Sequence, residues 1–237
     1  MSKNFEQVTQ CPNAASSTKW LVGNSQMAKF SGALGHFQIR YKRGGKIEEI
    51  MAETERLVTS NKATHVIMDG FQNSVRDIRS GILNLEVDIL PRLKFLNKKA
   101  KVVLSEVLYC PEHQEYLNTL HMINRQVRRM NREASGMESP RPWKALNTIY
   151  QNRNMKQADT VTTFPDSFAK DGYHINVAKI IEYEVELAAC MAAMVTGTKQ
   201  KSMGSVRPYV PQPNLSYCCP VVPVIFLFSS LKTHFVI

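Results

Sequence analysis

Asp171 precedes His174 by three residues, with Gly172 between them, in Lys170-Asp171-Gly172-Tyr173-His174-Ile175-Asn176. At that spacing a carboxylate can hold one imidazole nitrogen within a single turn. The other nitrogen is left to take a proton from a nucleophile brought from elsewhere. A helix-capping aspartate with a nearby surface histidine gives the same pattern, so the pair gains meaning only if a nucleophile and oxyanion donors accompany it. Ser25 is the candidate nucleophile. The apolar run Lys19-Trp20-Leu21-Val22 stops at Gly23-Asn24-Ser25, and a strand, a glycine and a serine opening a helix lift a hydroxyl to the edge of a sheet, where helix N–H groups can face an oxyanion. The simpler reading makes Asn24 or Ser25 the cap of a helix over residues 26–34. Gly44-Gly45 permits either a close backbone approach to a ligand or only a tight turn. Asp69-Gly70-Phe71-Gln72-Asn73-Ser74 puts side-chain amides after a strand, where open α/β sheets bind ligands.

The elements that must carry these residues alternate. Residues 19–22, 36–41, 64–68 and 102–108 read as strands, with a short fifth over 145–150. Helical spacing of apolar residues runs over 47–58, 75–97, 112–135 and 177–195. Pro91 should kink or divide the second of these, and Gly136 should end the third. Residues 151–170 read as a long loop, a length usually tied to function or disorder. Strands alternating with helices give a doubly wound three-layer α/β/α sandwich with a mostly parallel five-stranded sheet, and every candidate residue above falls at or after a strand's end. The ordered domain is expected over 19–196, after a flexible leader over 1–18. Residues 197–214 are rich in Pro, Ser, Gly and Lys and read as a disordered linker. The apolar end at 221–228 is short for a membrane span and interrupted by Pro220 and Pro223. It reads as a weak membrane contact, an edge strand, an aggregation-prone tail or sequence foreign to the fold.

With 30 Lys and Arg against 20 Asp and Glu, the 237-residue chain carries a formal charge of +10, which favours anionic partners. Arg125, Arg128, Arg129 and Arg132 make one basic stripe on a helix, either a solvated face or a weak contact for nucleic-acid phosphates. No aromatic residues interleave with them, so a stacking platform for single strands is not indicated. The five cysteines lack regular spacing and form no cluster with histidine, so no metal site is expected and reduced thiols in the cytoplasm are. Residues 1–17 lack the apolar core of a signal peptide.

From about Trp20 to Val195 the sequence resembles the SGNH hydrolase family, also called the GDSL esterase/lipase family. Leu21-Val22-Gly23-Asn24-Ser25 is similar to its Gly-Asp-Ser block, Gly45-Lys46-Ile47-Glu48 to its glycine block, Val66 through Asn73 to its Gly-x-Asn-Asp block, and Asp171-Gly172-Tyr173-His174-Ile175-Asn176 to its Asp-Gly-x-His block. Ile123-Asn124 also sits where such enzymes often carry an Ile/Val-Asn pair. Asn24 stands where the family has Asp, Gln72-Asn73 where it has Asn-Asp, and Ala178-Lys179 replaces a common Gly.

The resemblance implies a serine esterase acting on a small carboxylic ester or acylated glycan, with acetyl as the acyl group that shallow loops favour. Ser25 would attack, His174 exchange the proton and Asp171 orient His174. The N–H groups of Ser25 and Gly45 would hold the oxyanion, with the amide of either Gln72 or Asn73. No metal or organic cofactor is needed. Two other readings stand beside it. One is an inactive binding module of the same fold, suggested by Asn24 and Gln72. The other is an accessory domain associated with nucleic acid, of the kind carried by retroelement or viral open reading frames.

Overall fold

Alternation within the apolar runs decides the layers. Trp20 and Val22, Val66 and Met68, Val102 and Leu104 pack into one buried cluster, while Leu21, Ile67 and Val103 pack into another. A sheet therefore lies between two apolar layers. The computed structural model describes residues 4–8, 17–31, 36–110, 115–143, 147, 174–176 and 180–197, all within the first unit of the chain, Met1–Met203.

Five strands, β1 (Glu6–Val8), β2 (Lys19–Gly23), β3 (Gln38–Tyr41), β4 (His65–Asp69) and β5 (Lys101–Leu104), form a single sheet in the order β1-β3-β2-β4-β5. The last four are parallel, and β1 runs antiparallel on the edge beside β3. The chain leaves β2 toward β3 on one side and returns to β4 on the other. The reversal of strand order falls at β2 and β4, where crevices form outside the carboxyl ends of strands. Helices α1 (Ile47–Thr59), α3 (Leu90–Leu96) and α4 (Leu117–Ser135) cover one face, through Ile50, Leu93 and Ile123 among others. On the other face Met27, Phe30 and Trp143 pack with Tyr183 and Leu187 of α5 (Ile180–Thr196). This is the three-layer, mostly parallel sandwich expected from the alternation.

Several elements differ from expectation. Residues 6–8, within the stretch read as a flexible leader, form β1. Phe5 and Val8 tuck against the two cores, and the Tyr41 hydroxyl donates to Glu6. The stretch expected as a fifth strand, 145–150, lies outside the described residues except for Asn147. Instead of one helix over 75–97 there is α2 (Val75–Arg79), a turn through Gly81 at φ +74°, a wide turn at Leu85–Ile89 and then α3. Asn84 caps that wide turn by accepting from the N–H groups of Glu86 and Val87. Pro91 falls in the first turn of α3, where its missing N–H costs nothing. The break thus lies before the proline. α4 begins at Leu117, later than the expected 112, and runs to Ser135, where Gly136 at φ +68° ends it as expected.

Strand β5 stops at Leu104, short of the expected 108, because asparagine side chains take over its outer edge. Asn97 exchanges hydrogen bonds with the N–H and C=O of Val102, at 3.1 and 2.9 Å. Asn131 does the same for Leu104, at 2.9 and 2.7 Å, and Asn124 for Val107, at 2.7 and 3.2 Å. The backbone groups that a sixth strand would have paired are satisfied by amides instead. No helix among the described residues is long and apolar enough to cross a membrane.

Candidate active site

Ser25 owes its place to the turn that leaves β2. A Cβ on Gly23 would lie 2.4 Å from Met27 Cγ and 2.7 Å from the Asp69 carbonyl oxygen, so only glycine lets the chain fold back this tightly. The next N–H, of Asn24, donates to that same Asp69 carbonyl at 3.1 Å. Asn24 Oδ1 then accepts from the Gln26 N–H at 2.9 Å and caps the 3-10 turn Ser25–Lys29. The expected helix over 26–34 is thus one short turn in its described part. The capping role belongs to Asn24, and Ser25 is left as the first residue inside the turn. Asn24 Nδ2 is buried with no hydrogen-bond partner among the described residues, an arrangement that costs about 1–3 kcal/mol.

The decisive contact crosses 149 residues of sequence. Ser25 Oγ lies 3.0 Å from His174 Nε2, within the reach a base needs to take a hydroxyl proton. Asp171 lies outside the described residues.

Three further ties join the segment of Ser25 to that of His174. The Ile175 N–H donates to Gln26 Oε1 at 3.1 Å. Lys29 Nζ donates to the Ile175 carbonyl. Glu184, buried on α5, accepts from the N–H and hydroxyl of Ser31 at 3.0 and 2.7 Å. None of Gln26, Lys29 or Glu184 was singled out from the sequence. The available signals were a glutamine directly after the nucleophile and a lone acid on the inner side of a mostly apolar helix.

The expected oxyanion donors Gly45, Gln72 and Asn73 are each engaged by other groups of the protein. The Gly45 N–H donates to the Lys42 carbonyl at 3.0 Å, closing the turn that Gly44 makes possible at φ +66°. The Gly45 carbonyl accepts from Asn73 Nδ2 at 3.0 Å. Gln72 is buried and donates to Cys110 Sγ at 3.3 Å. Asn73, half-buried, therefore joins the loop after β3 to the turn after β4, whereas the Gln72 amide points into the core.

Asp69, the last residue of β4, is a second carboxyl that sequence reasoning passed over. It is buried and accepts from Trp143 Nε1 at 3.2 Å. Burial pushes its pKa up to about 7, with the Trp143 and Ser105 hydrogen bonds opposing the shift. Trp143 packs against Phe30, which ends the Ser25 turn, and against Tyr183 of α5, with ring centroids 6.2 and 5.0 Å apart. Among the described residues no group of His, Cys, Asp or Glu is arranged to hold a metal ion.

Comparison with known proteins places the fold. No protein-family model matches the chain, and no curated protein matches it in sequence. Solved structures do match in shape. A GDSL-like lipase from Bacteroides thetaiotaomicron VPI-5482 superposes with a TM-score of 0.50 at 14% identity, over 76% of this chain and 87% of that one. A candidate SGNH hydrolase from Slackia heliotrinireducens gives 0.50 at 12% identity, over 73% and 97%. A catalytic mutant of an acetylxylan esterase from Geobacillus stearothermophilus gives 0.50 at 16% identity, over 74% and 94%. The chain has the SGNH hydrolase fold. In that fold Ser25 and His174 come from the first and last blocks of the resemblance, and Gly45 and Asn73 from the two between them.

The arginine stripe is less uniform than its spacing suggested. Arg128 donates to the buried Glu106 at 2.9 Å, and Arg141 reaches the same carboxylate at 2.8 Å. Arg129 pairs with Glu86, and Arg132 stands 3.8 Å from Glu138. Arg125, Arg129 and Arg132 line an open groove of about 530 Å³ together with Glu86 and His121.

Proposed function

We propose that the protein is a serine esterase that cleaves a small carboxylic ester. The observation that carries this reading is the 3.0 Å approach of Ser25 Oγ to His174 Nε2 at the carboxyl ends of parallel strands, where this kind of sheet holds its ligands. In the reaction Ser25 Oγ attacks the ester carbonyl as its proton passes to His174 Nε2. His174 returns that proton to the leaving alkoxide, and a water activated by the same imidazole then cleaves the acyl-enzyme. Asp171, three residues before His174, holds the imidazole and stabilises its charged form.

The negative charge that develops on the carbonyl oxygen needs donors already in place. The Ser25 N–H at the head of the 3-10 turn is one. Asn73 is preferred to Gln72 as the side-chain donor, because the Gln72 amide is committed to Cys110 within the core. The Gly45 N–H, held by the Lys42 carbonyl, contributes once a substrate draws it out of that turn. An acetyl ester is the preferred substrate, since the loops after β2, β3 and β4 are short. The acetylxylan esterase among the similar structures suits the same class.

The test is labelling with a serine-directed fluorophosphonate and hydrolysis of an aryl acetate, in the wild type, Ser25→Ala and His174→Ala. Labelling and turnover should be present in the wild type and absent from both variants. A folded wild type that neither labels nor turns over would leave the inactive binding module as the reading of the fold.

A further inference from the structure

Residue 175 is held in an unusual way. Its N–H and its carbonyl are both bound by side chains, and both side chains come from the turn that begins with Ser25. Gln26 Oε1 accepts from the N–H at 3.1 Å and Lys29 Nζ donates to the carbonyl. Ile175 itself is fully buried among Met27, Phe30 and their neighbours, so the residue next to His174 cannot shift without breaking these bonds. Gln26 is equally buried, at 1% exposure, and its own N–H is fixed by Asn24. The bracket therefore has a rigid base on the sheet side and a rigid target on the histidine side.

We infer that Gln26, assisted by Lys29, is a positioning residue that sets His174 against Ser25. The inference rests on the esterase reading of the Ser25–His174 pair. Gln26 acts through the Ile175 N–H, which donates to its Oε1. A direct bracket is needed because the two reacting groups are 149 residues apart in sequence. Without it their distance would depend on the relative placement of β2 and α5, and a displacement of about 1 Å can cost about 10²-fold in rate. The bracket acts on the base alone, so its loss should leave substrate binding unchanged.

Gln26→Met keeps the length and removes the acceptor. Gln26→Glu keeps an acceptor oxygen whether or not it is protonated. Lys29→Met loosens the bracket from its more accessible side, and so remains informative if the core variant folds poorly. Each is assayed for kcat and KM on an aryl acetate, for fluorophosphonate labelling rate, for Tm, and for the ¹⁵N NMR signal of His174 Nε2. Gln26→Met should lower kcat and labelling rate together by about 10–100-fold with KM within about twofold. Gln26→Glu should recover most of that loss, and Lys29→Met should lose about two- to tenfold. The His174 signal in Gln26→Met should move toward its position in Ser25→Ala. Wild-type kcat in Gln26→Met would overturn the inference, as would a loss accounted for by the lowered Tm alone. If the wild type itself neither labels nor hydrolyses, the esterase reading fails by that result. The His174 signal then decides the bracket separately: an unchanged signal in Gln26→Met overturns it.

Discussion

The two halves of the site are built in opposite ways. On the side of Ser25 and His174 side-chain bonds run between separate segments: Ser25 to His174, Gln26 and Lys29 to Ile175, Ser31 to Glu184. On the donor side the bonds run inward, Gly45 to Lys42, Asn73 to Gly45 and Gln72 to Cys110. On the esterase reading proposed above, the difference teaches that proton transfer is assembled before a substrate arrives, whereas the donors at Gly45 and Asn73 have to be recruited by the substrate. Such a site favours compact, strongly polarised carbonyls, whose oxygens compete best for N–H groups already in use. The departures from the family pattern fall on both sides, at Gln72-Asn73 among the donors and at Asn24 and Ala178-Lys179 beside the reacting pair, whereas Ser25, Asp171 and His174 themselves match it.

The comparison can be broken most directly at its assembled half. Ser25→Ala and His174→Ala should each lower kcat by about 10⁴–10⁶-fold, measured on an aryl acetate. On the donor half, Asn73→Ala should cost about 10²–10³ in kcat and Gln72→Leu less than about tenfold. Steady-state rates of the pair would reverse the assignment if Gln72→Leu proved the worse.

Asp69 lies beneath both halves and sharpens the contrast through pH. Its folded-state pKa, about 7 against an ordinary 3.8, means that the folded protein binds its proton more tightly than the unfolded chain. The stability so gained is complete below about pH 4 and is lost as pH rises through about 7. Asp69→Asn should remove this dependence. Measured by chemical denaturation, the variant should gain roughly 2–3 kcal/mol on the wild type between about pH 5 and about pH 8.

The smallest effect on turnover is expected far from the site. Arg128→Ala removes one of the two arginines on the buried Glu106 and should cost about 1–3 kcal/mol of stability. Turnover should stay within about twofold, and RNA binding at low salt should not change. A lower salt dependence of RNA binding in this variant would instead give Arg128 a phosphate contact.

The fold was legible because it rests on periodicity. The period of two in Trp20–Val22 and Val66–Met68, and the helical stripes of α1 and α4, are consequences of burial that any sequence of this fold must show. Ser25 and His174 were legible because their spacing from glycine and aspartate is local. What escaped was set by partners distant in sequence. Nothing near Gln26 announces that its acceptor serves Ile175, nothing near Asp69 announces Trp143, and the stripe of arginines does not reveal that Arg128 turns to Glu106. The helix over 75–97 was overextended for a related reason. Its apolar residues keep helical phase across Ser80–Asn84, and only the positive φ of Gly81 and the cap by Asn84 end it.

The asparagines along β5 have a consequence for how the protein behaves in a crowd of its own copies. An outer strand with bare N–H and C=O groups is a template on which another chain can extend the sheet, and such growth is a common route to insoluble material. Asn97, Asn131 and Asn124 occupy that template at Val102, Leu104 and Val107. Their amides offer a newcomer no register to continue. Asn131 is itself fully buried, so an apolar residue in its place would leave the N–H and C=O of Leu104 without partners. The fold would weaken by about 1–3 kcal/mol for each unpaired group, and the cover over the edge would loosen with it.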